Sequence, residues 1–461
     1  MESNNTTPKN TLSPLQEIVY AQKQGVPRGI YSICSANQFV LEAGFQQALR
    51  DKQFVREQQA LRDQKTVQDN SPLLIESTSN QVNQYGGYTG MTPDMFAAYV
   101  HDLAALYNLP ENQIILGGDH LGPHVWQDEP VESAMAKARK LVHDYVLAGF
   151  TKIHLDASMK CADDPPEAAL SIPTSAKRSA ELCQAAEGAY TMLHTGSTKP
   201  CYVIGTEVPI PGGTLEHEDE ISVTAVDDVR ETIEVTRRAF FKLGLEEAWE
   251  RVIAVVVQPG VEYGDETLFE YNHSTAAPMR RFIETYDHLV YEAHSTDFQT
   301  REALKRLVEN HFAILKVGPA LTFAFREAVY ALSWIEEELL AKESSAGASN
   351  LAQVLDQSML ANPVYWKKYY SGDESELEFA RKYSFSDRSR YYWPVPDVQL
   401  ALSKLFENLE RKTVPLTLLS QYMPIQYNKV RSGELENSYK AWVYDKITSV
   451  LSDYAFACGY G

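Results

Sequence analysis

Eight short β-branched or apolar runs recur along this chain with helical stretches between them, and that alternation constrains the fold more than any other feature. The runs are Gly29–Cys34, Leu73–Glu76, Ile114–Gly118, Lys152–Asp156, Tyr202–Glu207, Val252–Gln258, Leu289–His294 and Ala313–Val317, each bounded by turn residues. Between them lie helix candidates such as Thr92–Tyr107, opened by Thr-Pro-Asp, and Pro130–Ala148, with Ala, Val and Leu at helical spacing. Strict alternation makes a parallel sheet with right-handed crossovers, and eight repeats predict closure into an α/β fold, the (β/α)₈ TIM barrel. The rival, an open doubly wound sheet, is disfavoured because no strand leads into a Gly-x-Gly-x-x-Gly turn.

From about Ser333 the alternation stops and helical, aromatic-rich sequence follows. The expected organisation is a barrel over residues 1–332 and a helical C-terminal extension over 333–461 packed on it. Lys52–Asn70 is charged and Gln-rich without aliphatic periodicity, which predicts a mobile polar insertion, and Glu343–Asn350 predicts a linker. A net charge of −20 with no compensating basic cluster excludes nucleic acid as a partner. No apolar run reaches the roughly 20 residues of a membrane span, and the polar start MESNNTTPKN lacks a secretory pattern, so a cytoplasmic setting is expected. Five widely spaced cysteines indicate reduced thiols rather than a disulfide framework or zinc knuckle.

The strand tips carry the chemistry. A barrel buries the interior faces of its strands and directs their C-terminal ends into a common mouth. Here the tips hold Glu76, Asp119, His120, His154, Asp156, Glu207, Gln258, Glu292 and His294, a polar ring, titratable except for Gln258, that is costly in a purely structural core. His120 can bind a divalent metal while Asp119 transfers protons. His294, Glu207 and Gln258 complete a mixed N/O set on separate strands, suited to Zn²⁺, with Mn²⁺, Co²⁺ or Ni²⁺ as alternatives. The competing reading is a metal-free hydrogen-bonded rim. Of His154 and Asp156 only one should line the mouth, since neighbours alternate along a strand, and Asp156 lies nearer the tip. His124, His194 and His273 read as structural loop histidines.

The loop after Glu76 is dense in amides, hydroxyls and glycines, and Asn80 and Asn83 suit a polyol. For phosphate, Lys316 and Gly318 lead from the eighth strand into a helix whose free N–H groups face the mouth. Arg388 and Arg390, in Tyr383-Ser-Phe-Ser-Asp-Arg-Ser-Arg, can fold over it as a second phosphate site.

The runs ESTSNQVNQYGGYTGMTP, ILGGDHLGP, GFTKIHLDASM, VIGTEVPIPGG, VVVQPGVE, YEAHSTD, ILKVGPALTFAFREA and YSFSDRSRYYWP together resemble the Z-type family of tagatose-bisphosphate aldolase, related to class II metal-dependent aldolases. The resemblance covers Gln16 to the C-terminus apart from the insertion. It implies that Asp119 and His120 are the catalytic acid/base and a metal ligand, His294 the late-strand ligand and Glu207 the mid-barrel glutamate. The aldolases carry His where this chain has Gln258, and Asn where it has Gly318. The resemblance implies either a ketohexose-phosphate 4-epimerase or a non-catalytic subunit stabilising a Y-type aldolase partner. C4 of a 2-ketose is not acidified by the carbonyl, so inversion there requires cleavage and re-formation of C3–C4. A retained acid/base set favours the epimerase, with Asp119 and Glu76 or Asp156 moving protons, on a phosphorylated ketohexose. A homo-oligomer is expected.

Overall fold

The computed structural model describes residues 12–61, 71–167, 169–206, 221–341 and 347–460. In chain order the strands are β1 (Ile30–Cys34), β2 (Leu73–Thr78), β3 (Ile114–Leu121), β4 (Lys152–Leu155), β5 (Cys201–Ile204), β6 (Val252–Val256), β7 (Glu262–Tyr263), β8 (Leu268–Phe269), β9 (Val290–Ala293) and β10 (Phe312–Val317). Eight of them close a parallel barrel in the order β1-β10-β9-β6-β5-β4-β3-β2, the architecture expected from the alternation, and β7–β8 is a separate antiparallel hairpin.

The barrel interior follows from period-2 alternation. Its lower layer is apolar: Ile30, Leu74, Ile115, Val203, Ala254, Val290 and Ile314 meet Leu15, Ile18 and Val19 of the N-terminal helix Pro14–Lys23. That helix starts on a Ser13–Gln16 capping box with Pro14 in its first turn. Two residues further along the same faces stand Glu76, Glu292 and Lys316, so the interior turns from apolar to charged towards the mouth.

Two local expectations change. The helix Gln38–Leu61 continues into the polar segment, because its Gln, Arg, Glu and Ala are helix formers even without an apolar stripe; residues 62–70 lie outside the described residues. Of Glu343–Asn350, the described part is anchored: the Ser349 N–H donates to Glu336 Oε1 at 3.1 Å and its hydroxyl to Oε2 at 2.5 Å. The position where alternation stops falls inside the helix Pro319–Leu340. Beyond it come helices Leu351–Ala361, Glu374–Tyr383, Pro396–Arg411, Leu416–Tyr422, Pro424–Ser432 and Tyr439–Ala457, the last packed on Gln38–Leu61 and Pro319–Leu340. Cys34, Cys161, Cys183, Cys201 and Cys458 are all free. No helix among the described residues is long and apolar enough to cross a membrane.

Candidate active site

The charged layer is held by a missing side chain. Gly117 sits in register between Glu76 on β2 and Lys152 on β4. With no Cβ there, Lys152 Nζ reaches across β3 to Glu76 Oε1 at 2.5 Å and touches Glu292 Oε2 at 2.6 Å, all three fully buried. Lys316 Nζ contacts Glu76 Oε2 and lies 3.0 Å from Asp119 Oδ2. Two ammonium groups and three carboxylates thus neutralise most of their charge within the barrel, the condition for burying them.

Above this layer three imidazoles surround Asp119, with ring centroids 4.9 Å (His120–His294), 5.2 Å (His154–His294) and 5.3 Å (His120–His154) apart. His120 takes a left-handed backbone, φ 48°, at the end of β3, and this re-aims its ring into the mouth. Gly122 follows because a Cβ there would lie 1.5 Å from Asp156 O. Asp156 Oδ2 is 2.8 Å from His120 Nδ1 and fixes that ring, leaving Nε2 3.6 Å from Asp119 Oδ2. His154 Nδ1 lies 2.9 Å from Asp119 Oδ1, and His294 Nε2 lies 3.1 Å from Glu292 Oε1. Burial works against charge at Asp119, His120 and His294. At Asp119 the adjacent His120, His294 and His154 outweigh it and hold the carboxyl well below its usual range. Asp119 and Asp156 likewise overcome burial to raise His120 to about 9. Burial lowers His294.

Donor atoms of Asp119, His154, Glu292 and His294 all lie within 4.8 Å of one another. His154 Nε2 is buried and has no hydrogen-bond partner among the described residues. An orphaned imidazole nitrogen within a His/carboxylate cluster fits a divalent cation, which would satisfy it. The donor types suit Zn²⁺, Mn²⁺ or Co²⁺ alike.

The residues singled out in the sequence separate into groups. Asp119, His120 and His294 converge, with Glu76 beneath them and Asp156 bound to His120. Glu207 lies outside the described residues. Gln258 does not join the donor cluster: its Oε1 accepts the N–H groups of Gly260 at 2.8 Å and Val261 at 3.0 Å, because β6 ends at Val256 and the residue belongs to a turn. His154, set below Asp156 in the sequence reading, also faces the cluster: residues two apart share a strand face, so the period-2 alternation brings both to the mouth and does not choose between them. Asn83 braces its own loop, donating to Ser79 O and accepting from the Tyr85 and Gly87 amides. Asn80 Nδ2 is 3.3 Å from His124 Nε2, a histidine that burial lowers to about 4. Gln81 and Tyr88, from the same loop, line the mouth instead.

Lys316 and Gly318 do line the mouth, yet the helix N-terminus offers no free amides at Gly318 and Ala320: both donate to Asp297 Oδ1, at 3.0 and 2.8 Å. Arg388 is buried with its guanidinium over the Tyr369 ring, whereas Arg390 lines the mouth. Sequence reasoning assigned no role to Lys152. Its signal was present, a lysine in an apolar strand in phase with His154.

The family described as D-tagatose-1,6-bisphosphate aldolase subunit GatZ/KbaZ-like matches residues 15–459. A crystal structure described as a probable tagatose 6 phosphate kinase from Sinorhizobium meliloti 1021 is 41% identical, with a TM-score of 0.81, over 94% of this chain and 100% of that one. Far more distant are the fructose-bisphosphate aldolase of Campylobacter jejuni (13% identity, TM-score 0.39, 87% and 95% covered) and the fructuronate-tagaturonate epimerase UxaE of Cohnella laeviribosi (10%, 0.41, 93% and 81%).

Proposed function

The chain belongs to the GatZ/KbaZ-like family of D-tagatose-1,6-bisphosphate aldolase subunits, and from that premise we propose a metal-dependent 4-epimerase interconverting D-fructose and D-tagatose as 6-phosphates or 1,6-bisphosphates. The observation that carries this reading is the convergence of Asp119, His154, Glu292 and His294, from the ends of three strands, β3, β4 and β9, on one point of the barrel mouth.

His120, His154, His294 and Glu292 would hold the metal, Zn²⁺ or another divalent ion, whose contribution is Lewis-acid stabilisation of negative charge on the substrate. Glu207, beyond the described residues, remains a candidate ligand. Asp119, ionised and lining the mouth, takes the proton of the C4 hydroxyl. The C3–C4 bond then breaks: its electron pair stays with the C1–C3 fragment as an enediolate, and C4 becomes the carbonyl carbon of an aldehyde. Lys316 provides positive charge beside that fragment. The aldehyde turns over within the pocket, the enediolate attacks its other face, and the C4 oxygen takes the proton back. Glu76 and Asp156, bound to Lys152 and His120, hold the layer and the ring rather than moving protons.

Purified protein with Zn²⁺ or Mn²⁺ should exchange fructose 6-phosphate with tagatose 6-phosphate, or the bisphosphates, without releasing triose phosphate. Asp119→Asn should keep the metal and lose turnover, whereas His154→Ala and His294→Ala should lose both. Absence of C4 exchange with all four sugars would return the chain to the second reading suggested by its family's description, a subunit supporting a Y-type aldolase; accumulation of triose phosphates would make it an aldolase. Enzyme, metal-binding and sugar-phosphate roles all stand on this experiment.

A further inference from the structure

Two cavities meet at the mouth. One, of about 580 Å³, is lined by Asp119, His120, His294 and Lys316; the other, of about 940 Å³, lies between the β1 loop and the C-terminal extension and is lined by Asn37, Trp393 and Gln399. Cys34, Gln81, Tyr88 and Arg390 belong to both walls. Among the described residues lining them, the lysines and arginines are Lys316 and Arg390. Lys316 is committed to Glu76 and Asp119.

The anion position that a barrel offers at the start of its last helix is already filled. Asp297, 3% exposed, accepts the Gly318 and Ala320 amides, so an incoming phosphate there would meet a carboxylate instead of free N–H groups. Residues 207–220, which follow β5 in the chain, hold five acidic residues and no lysine or arginine. Arg390 is different. Its Nη1 donates to the carbonyls of Ser386 and Asp387 and its Nη2 to Tyr391 Oη, which fixes the guanidinium; of its five N–H donors, the Nε–H and one on Nη2 have no partner among the described residues. A fixed guanidinium with spare donors recognises one phosphate or carboxylate.

We propose that the substrate carries a single terminal anionic group, held by Arg390 where the two cavities join, and that the site discriminates against a second anion. This rests on the reading of the mouth as a ketose site, and it narrows that reading from mono- or bisphosphates to ketohexoses that carry one anionic group. The reacting carbons would occupy the smaller cavity and the anionic end would point into the larger.

Calorimetry with the metal-loaded protein separates binding from turnover. Fructose 6-phosphate, or a ketohexuronate if the anion is a carboxylate, should bind at least tenfold more tightly than fructose; fructose 1,6-bisphosphate should bind no more tightly than the monophosphate. Arg390→Met should erase the preference over fructose. Gln399→Glu, an exposed change in the wall of the larger cavity, should weaken monophosphate binding severalfold and leave fructose unaffected. Tighter binding of the bisphosphate, an unchanged preference in both variants, or no binding of any of these sugars would overturn the proposal. The expected binding pattern without C4 exchange would support the anion site and sink the epimerase reaction.

Discussion

At the scale of single residues, the site depends on an absence. A Cβ at Gly117 would lie 2.5 Å from Glu76 Oε1, and Glu76 cannot retreat because Lys152 and Lys316 hold both its oxygens. Gly117→Ala should therefore destabilise the protein by about 1–3 kcal/mol, the usual cost of overpacking, and lower activity with it. Urea denaturation checks this; an unchanged midpoint would mean that the charged layer is more pliable than its spacing indicates. Individual tips such as Asp119, His120 and His294 were legible as polar residues ending apolar runs. Lys152 and Glu292 were harder to place, because a charged residue inside a strand has meaning only once its partner on another strand is known. Gln258 illustrates the converse: polar and near a tip, but with its carbonyl oxygen taken by its own turn.

At the scale of elements, all eight barrel strands fall where short apolar runs placed them, with ends differing by up to three residues. The hairpin β7–β8 was not foreseen, since two-residue strands leave no periodic signal. It carries a pH-sensitive group. Burial raises Glu262 from 4.5 to about 7 against the opposing hydrogen bonds of the Tyr263 amide and Ser295. Because its folded pKa exceeds its unfolded one, the folded state binds the proton more strongly. The resulting stability is fully present below about pH 4.5 and lost as pH rises through about 7. Glu262→Gln should make the protein more stable than the parent at pH 8, by on the order of 2–3 kcal/mol, with the gain shrinking towards pH 5. Thermal denaturation at the two pH values measures it, and an equal gain at both would show that ionisation is not the cause.

At the scale of the whole molecule, the C-terminal extension completes the mouth. Asp387, fully buried with a left-handed backbone of φ 44°, accepts from Arg326 Nη1 at 2.7 Å and from the Thr322 hydroxyl at 2.6 Å, both on the helix Pro319–Leu340. This pins the turn carrying Arg390 and Tyr391, and Tyr391 packs edge-on against Tyr88 from the loop after β2. Asp387→Asn keeps the shape but leaves Arg326 buried without its counter-charge; a cost of about 3 kcal/mol is expected, along with a raised KM for the phosphorylated sugar. Limited proteolysis should show the extension cut before the barrel. Simultaneous loss of both would mean that they unfold as one unit. The sequence alone determined the number and order of the barrel strands, the apolar lower layer and the polarity of the tips, because hydrophobic periodicity is a local property of the backbone. Tertiary structure alone decided which tips meet, that Asp297 fills the amide cup at the last helix, and that Arg390 closes the mouth while Arg388 turns away. Those outcomes depend on charge pairing and desolvation between residues far apart in the chain, Asp119 with Lys316 or Arg326 with Asp387, and no local pattern records such distances.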